Sequence, residues 1–259
     1  MEPFYGPRFG NPSSVHRWGR EARAALDEAR ERVARCLGAH PDEVCFTSGG
    51  TEADNLAVLG PLRAQVEKGR RVILSTPIEH KAVLATVHHA AHDGVTERML
   101  TVTKGGVVDV AASDAAIDES VAVCTVMWVN NEVGTIQPVG EIAERVKARG
   151  GIMHTDAVVH GRGAPRAPHV LNISVPGTDS ESLLMALDLA GVAASAGSAC
   201  QSGSVTPSHV LLAMGVKPDL AVAAVRMSLG SLTTPEHITR VVELFPALIA
   251  KARRLSGAA

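Results

Sequence analysis

The chain has 259 residues, 46% of them hydrophobic, which is ample for one large α/β domain or two smaller ones. A net charge of −2 and no isolated lysine/arginine block exclude the footprint of a nucleic-acid binder, and the lack of a targeting core or membrane-length apolar run points to a cytoplasmic protein. Four cysteines (Cys36, Cys45, Cys124, Cys200) without Cys-x-x-Cys spacing argue against zinc and against a disulfide framework. The first three read as small core residues.

Helical periodicity covers 19–37, where Glu28 and Arg32, and Glu31 and Arg35, stand one turn apart on a solvated face. Residues 44–47 predict a short strand entering a glycine turn. A helix over 52–68, a buried strand at 72–74, a helix over 81–91 and a strand over 98–102 follow. Then come an apolar strand at 122–129, a helix over 139–148 and a strand at 152–155. Short apolar strands separated by helices argue for a parallel sheet covered on both faces. The texture changes after this, with strands expected at 171–175 and 191–195 and a helix at 208–214. A last helix opens with Thr234 as N-cap and Pro235 behind it. Pro246 falls within its apolar stripe and should kink or shorten it. The expected division is a partial large domain, 1–159, and a small C-terminal lobe, 160–259.

Four motifs could carry chemistry. FTSGGTEADNLA (46–57) is strand, glycine turn and helix, where Gly49, Gly50 and Thr51 would admit an anion to a helix N-terminus. His80 starts a helix directly after a strand, while His88, His89 and His92 further along read as structural or solvated. VMWVNNEVGTIQP ends a buried strand in Asn130-Asn131-Glu132, and Asp156 ends the next strand in the same way. Polar groups at the carboxyl ends of parallel strands face the crevice where such sheets bind ligands. An anion at Thr51, an imidazole over a ring and Asp156 on a ring nitrogen would suit pyridoxal 5′-phosphate. ASAGSACQSGS surrounds Cys200 with small residues, making it a candidate nucleophile.

GNPSSVHRWG, FTSGGTEADNLA, EHKAVL, VNNEVGTIQP, HTDA, SAGSACQSGS and RMSLG occur in an order that resembles the cysteine desulfurases, class V aminotransferase-like enzymes, and particularly their long-loop branch. The resemblance implies a PLP-dependent transferase (aspartate aminotransferase-like) α/β fold, here a truncated, mostly parallel sheet with a small C-terminal α/β lobe. It implies conversion of L-cysteine to L-alanine with a persulfide on the enzyme, supplying iron–sulfur cluster assembly. It also implies a homodimer that meets an iron–sulfur scaffold or another sulfur acceptor. By motif, Gly50 and Thr51 would hold the cofactor phosphate, His80 would stack on the ring and assist proton transfer, and Asn131 would contact the ring hydroxyl. Asp156 would pair with the pyridine nitrogen, Cys200 would carry the sulfur, and Arg226 would bind the substrate carboxylate, for which a planar guanidinium is well suited.

The pattern then departs from the family. Val159 stands where a glutamine is expected after HTDA, and the chain passes at once into a segment that resembles a late small-domain strand. On the order of a hundred residues of a two-domain member are absent at this seam. Among them is the Ser-x-His-Lys segment whose lysine forms the Schiff base. The lysines present are Lys68, Lys81, Lys104, Lys147, Lys217 and Lys251, none in that context. Catalysis by the family route should therefore be severely impaired. The alternatives are a non-catalytic remnant that binds the cofactor or a partner protein, and a PLP-dependent lyase acting on cysteine or selenocysteine.

Overall fold

The computed structural model describes residues 2–157, 170–196, 206–230 and 232–256. The chain divides into two compact units, Met1–Ala53 and Asp54–Ala259. In the first, helix α1 (Arg17–Leu37) begins where the His16 ring accepts the Gly19 N–H at 3.2 Å. A Cβ at position 19 would lie 2.2 Å from the Ser14 carbonyl oxygen, so only glycine lets GNPSSVHRWG fold against its own helix start. The outer faces of α1 carry the ion pairs Arg17–Glu21, Arg23–Asp27 and Glu28–Arg32, each one turn apart.

Two expectations fail in this unit. Residues 44–47 form no strand, because no strand among the described residues pairs with them; the Val44 N–H closes a turn on the Pro41 carbonyl at 3.1 Å and its carbonyl accepts from Arg30 at 3.2 Å. Cys36 and Cys45 are exposed, and only Cys124 is the buried thiol expected of all three. Cys36 lies two residues, about 200°, around α1 from the buried Ala34, so it faces the opposite way. Cys45 belongs to the unpaired stretch.

Helix α2 (Gly50–Val66) leads into the second unit. There follow β1 (Val72–Ser75), α3 (Lys81–His92), β2 (Thr96–Met99), α4 (Val110–Ser113), β3 (Val121–Thr125), α5 (Val139–Ala148) and β4 (Ile152–His154). The four strands form one sheet in the order β2-β1-β3-β4, with every pair parallel. Alternate side chains fill two cores. Ile73 and Val123 meet Val58 and Leu62 of α2 and Val83 and Val87 of α3. Val72, Leu74 and Val121 meet Ile142 and Val146 of α5. This is the covered parallel sheet that the alternation of elements predicts. Strand β3 stops at Thr125 rather than continuing to residue 129, because the Met127 N–H turns aside to the Glu79 carboxyl. The connection after β1 leads to β2 on one side and the connection after β3 leads to β4 on the other. The carboxyl ends of β1 and β3 therefore flank a topological switch point.

A second sheet comprises β5 (Val170–Ser174), β6 (Ser195–Ala196) and β7 (Ala224–Ser228), antiparallel in the order β5-β7-β6. Its helices are α6 (Ser180–Leu189), α7 (His209–Ala213), α8 (Pro218–Val222) and α9 (Pro235–Leu255). Leu183 and Leu187 of α6 and Leu248 and Ala252 of α9 close over Val225. Helix α6, helix α8 and strand β7 escape the periodicity reading: α6 is apolar on more than one face, and the other two are only five residues long. The strand expected at 191–195 shrinks to Ser195–Ala196. Helix α9 runs through Pro246 without being shortened. None of the helices among the described residues is long and apolar enough to cross a membrane.

Candidate active site

Three elements deliver charged groups to the carboxyl edge of the parallel sheet. His80 is the N-cap of α3, and its Nδ1 accepts the Ala82 N–H at 3.2 Å, so the ring proton sits on Nε2 in the neutral form. Asp156 lies just past β4, its carbonyl held by the Trp128 N–H at 2.9 Å. Asp54 projects from α2. Donor atoms of Asp54, His80 and Asp156 all lie within 4.8 Å of one another. Burial, reinforced by the Asp156 charge, raises the Asp54 carboxyl to about 6. His154 of β4 stands behind them, its Nδ1 2.8 Å from the Thr125 hydroxyl and its Nε2 3.9 Å from Asp54. Burial holds the His154 imidazole below its usual range.

A second cluster adjoins this one. Asn130 is fully buried and committed to structure: its amide donates to the Ile78 carbonyl at 2.8 Å, and its oxygen accepts the Glu132 and Val133 N–H groups, each at 2.9 Å. Gly134, at φ 76°, completes the turn. The turn presents Asn131 outward, and the Asn131 carbonyl accepts from Arg226 Nη1 at 3.0 Å. Arg226 Nε is buried without a hydrogen-bond partner among the described residues. Glu132 is buried, accepts the Ser208 hydroxyl, and receives the Asn172 amide on its carbonyl at 3.2 Å. Its carboxyl is pushed up by burial against the pull of Ser208, His209, Arg226 and Lys81.

Glu79 joins the two clusters. It is buried between the ends of β1 and β3, where it accepts the Thr76 hydroxyl at 2.7 Å and the Met127 N–H at 2.9 and 3.1 Å. Burial raises its carboxyl to about 8. The His209 ring lies 3.0 Å from the Glu79 carbonyl and donates through Nε2. The segment Glu79-His80 is thereby clamped from both sides.

Of the residues singled out from sequence, His80 and Asp156 come together, and so do Asn131 and Arg226. Gly50 and Thr51 belong to the first unit, at the turn where the Ser48 N–H and hydroxyl reach Glu52 at 2.7 and 2.5 Å. Cys200, Val159 and the seam lie outside the described residues. Asp54 and Glu79 were missed, and Glu132 was noted only as part of the Asn130-Asn131-Glu132 strand end. Asp54 and Glu79 stand three residues and one residue from a residue that was chosen, and the available signal was only an acid directly after an apolar residue, Ala53 and Ile78 respectively.

The class-V aminotransferase family model matches this chain in two pieces, residues 1–163 and 158–241. The chain is 33% identical to the putative cysteine desulfurase IscS 1 of Bacillus subtilis over 344 positions, covering 92% of this chain and 90% of the relative. It is 31% identical to the cysteine desulfurase NifS of Azotobacter vinelandii over 362 positions, covering 99% and 90%. A solved NifS-like protein superposes with a TM-score of 0.81 at 25% identity, covering 98% of this chain and 93% of that one.

Proposed function

This chain belongs to the class-V aminotransferase family, beside the cysteine desulfurases, and from that premise we propose that it binds pyridoxal 5′-phosphate and L-cysteine through the residues described above. The observation that carries the reading is the meeting of Asp54, His80 and Asp156 at a sheet edge, next to an arginine anchored on the Asn131 turn. Two carboxylates sharing a buried space favour a cationic guest, and a protonated ring nitrogen is one. The ring-binding groups thus fit the family cofactor. The covalent anchor does not, since none of the six lysines stands in a Ser-x-His-Lys context. Alignments of 344 and 362 positions exceed the 259 residues available, which supports the reading of an internal gap at the seam.

When bound, the cofactor supplies an electron sink for bonds at the substrate α-carbon. Asp156 holds the ring nitrogen protonated. His80 presents its Nε2 proton toward the same space, with its ring fixed by the cap bond to Ala82. Arg226 offers its unpartnered Nε edge to the substrate carboxylate while Nη1 stays on Asn131. Cys200 is the sulfur acceptor, as the family pattern has it. Without the lysine, turnover falls to the level of a Cys200→Ala control. A homodimer in the cytoplasm, passing sulfur to an iron–sulfur scaffold, is the setting that the motif resemblance supports.

The test is a spectral titration with pyridoxal 5′-phosphate, followed by sulfide release from L-cysteine. Saturable binding that is weakened by Asp156→Asn, with sulfide release no faster than Cys200→Ala, is the expected result. Absence of cofactor binding would sink the reading. Cys200-dependent turnover would show that another amine serves as anchor, with Lys81 the first to replace.

A further inference from the structure

Asp54 has no role in the family pattern carried over above, yet its environment is unusual. Its side chain is only 9% exposed, and it stands within 4.8 Å of a second acid, Asp156. The nearest basic group, His154 Nε2, lies 3.9 Å away, beyond hydrogen-bonding reach. A largely buried carboxylate beside a second acid is costly to ionise, so such a group either keeps its proton or awaits a cation. The titratable groups around it are Asp156 past β4, His80 at the start of α3, Glu79 beneath His80, and His154 on β4. Burial is the largest influence on its ionisation and disfavours it; Asp156 acts in the same direction and His80 in the opposite one.

We propose that Asp54 is a second acidic residue of the ring-nitrogen site, sharing the cationic ring N–H with Asp156, and that cofactor uptake expels the proton that Asp54 carries. This rests on the cofactor reading above. Without the ring, burial and the Asp156 charge favour the protonated form of Asp54; a positive ring nitrogen beside it lets Asp54 ionise. The rise of the Asp54 carboxyl to about 6 is the sign expected for the empty state. No bond is made or broken beyond the transfer of that proton to solvent. The linkage has a definite direction: below the empty-state value, binding must first deprotonate Asp54, and well above it, no proton is released.

The experiment measures cofactor affinity and proton release together, in weakly buffered solution, for the wild type, Asp54→Asn and Asp156→Asn. Between about pH 7.5 and pH 5 the wild type should lose about tenfold more affinity than Asp54→Asn. Near pH 5.5 it should release on the order of one proton more per site. The ionisation of the cofactor's own phosphate is common to both proteins and cancels in the comparison. A cofactor analogue with carbon in place of the ring nitrogen should release no such proton from the wild type, a test that stands even if Asp54→Asn fails to fold. Equal pH dependence in the wild type and Asp54→Asn, or equal proton release with the analogue, overturns the proposal and leaves the cofactor reading intact. Failure of the wild type to bind the cofactor at any pH overturns both.

Discussion

At the scale of single residues, Glu79 sets a measurable cost. Its folded-state pKa of about 8 stands above the ordinary 4.5, so between those values the folded chain holds a proton that the unfolded chain has lost. Stability therefore falls as pH rises from about 4.5 to about 8. Glu79→Gln keeps the oxygen that accepts from Met127 and Thr76 and removes the titration. We expect it to be more stable than wild type by about 4 kcal/mol near pH 8 and equal to it near pH 4.5, by urea denaturation. A stability gap independent of pH would show that Glu79 acts through packing alone. For Arg226, replacement by lysine leaves a point charge where a fork is needed. L-cysteine binding to the cofactor-loaded protein should weaken at least tenfold, read from spectral titration. His80 and Asp156 were legible because one starts a helix soon after an apolar strand and the other closes a strand. Asp54 was not, since one turn into a helix an acid reads as solvated until the sheet beside it is known.

At the scale of elements, the Asn130 turn matters most. Three hydrogen bonds tie its side chain to Ile78, Glu132 and Val133, and its neighbours reach Asn172, Ser208 and Arg226. Asn130→Ala strands one buried carbonyl and two buried N–H groups, which should cost about 3 kcal/mol in chemical denaturation. Asn130→Asp keeps the acceptor and loses the donor, so a smaller loss near pH 5 than near pH 8 would confirm that added charge beside Glu79 and Glu132 is the further penalty. The parallel strands could be read from sequence because each is a short, wholly apolar run. Strand β7 could not, because five residues interrupted by Arg226 leave no period to read. Its role as the centre of the second sheet depends on β5 and β6, which are distant in sequence.

At the scale of the whole molecule, thiol accessibility separates the two units. Native-state labelling with a thiol reagent should modify Cys36 and Cys45 quickly and spare Cys124, whose thiol is both enclosed and raised by burial. Protection of Cys36 would mean that another surface covers α1. The composition gave no hint of this difference, because a cysteine carries the same apolar label on either face of a helix. The order of strands, likewise, is fixed by which crossovers pack together, and a one-dimensional pattern does not contain it.

The position of β4 has a consequence for motion. It is one of the two edge strands of the parallel sheet, held on one side by three residues of β3, and no strand borders its other side among the described residues. Opening at an edge costs less than opening at the centre, so backbone amides of Ile152–His154 should exchange with deuterium well before those of Val121–Thr125. Yet β4 carries His154 and leads straight to Asp156. The acid proposed to meet the ring is thus mounted just past an edge strand of its sheet. A guest bound there should slow exchange across β4 more than anywhere else in the molecule, and the amides of three residues become the natural reporter of occupancy.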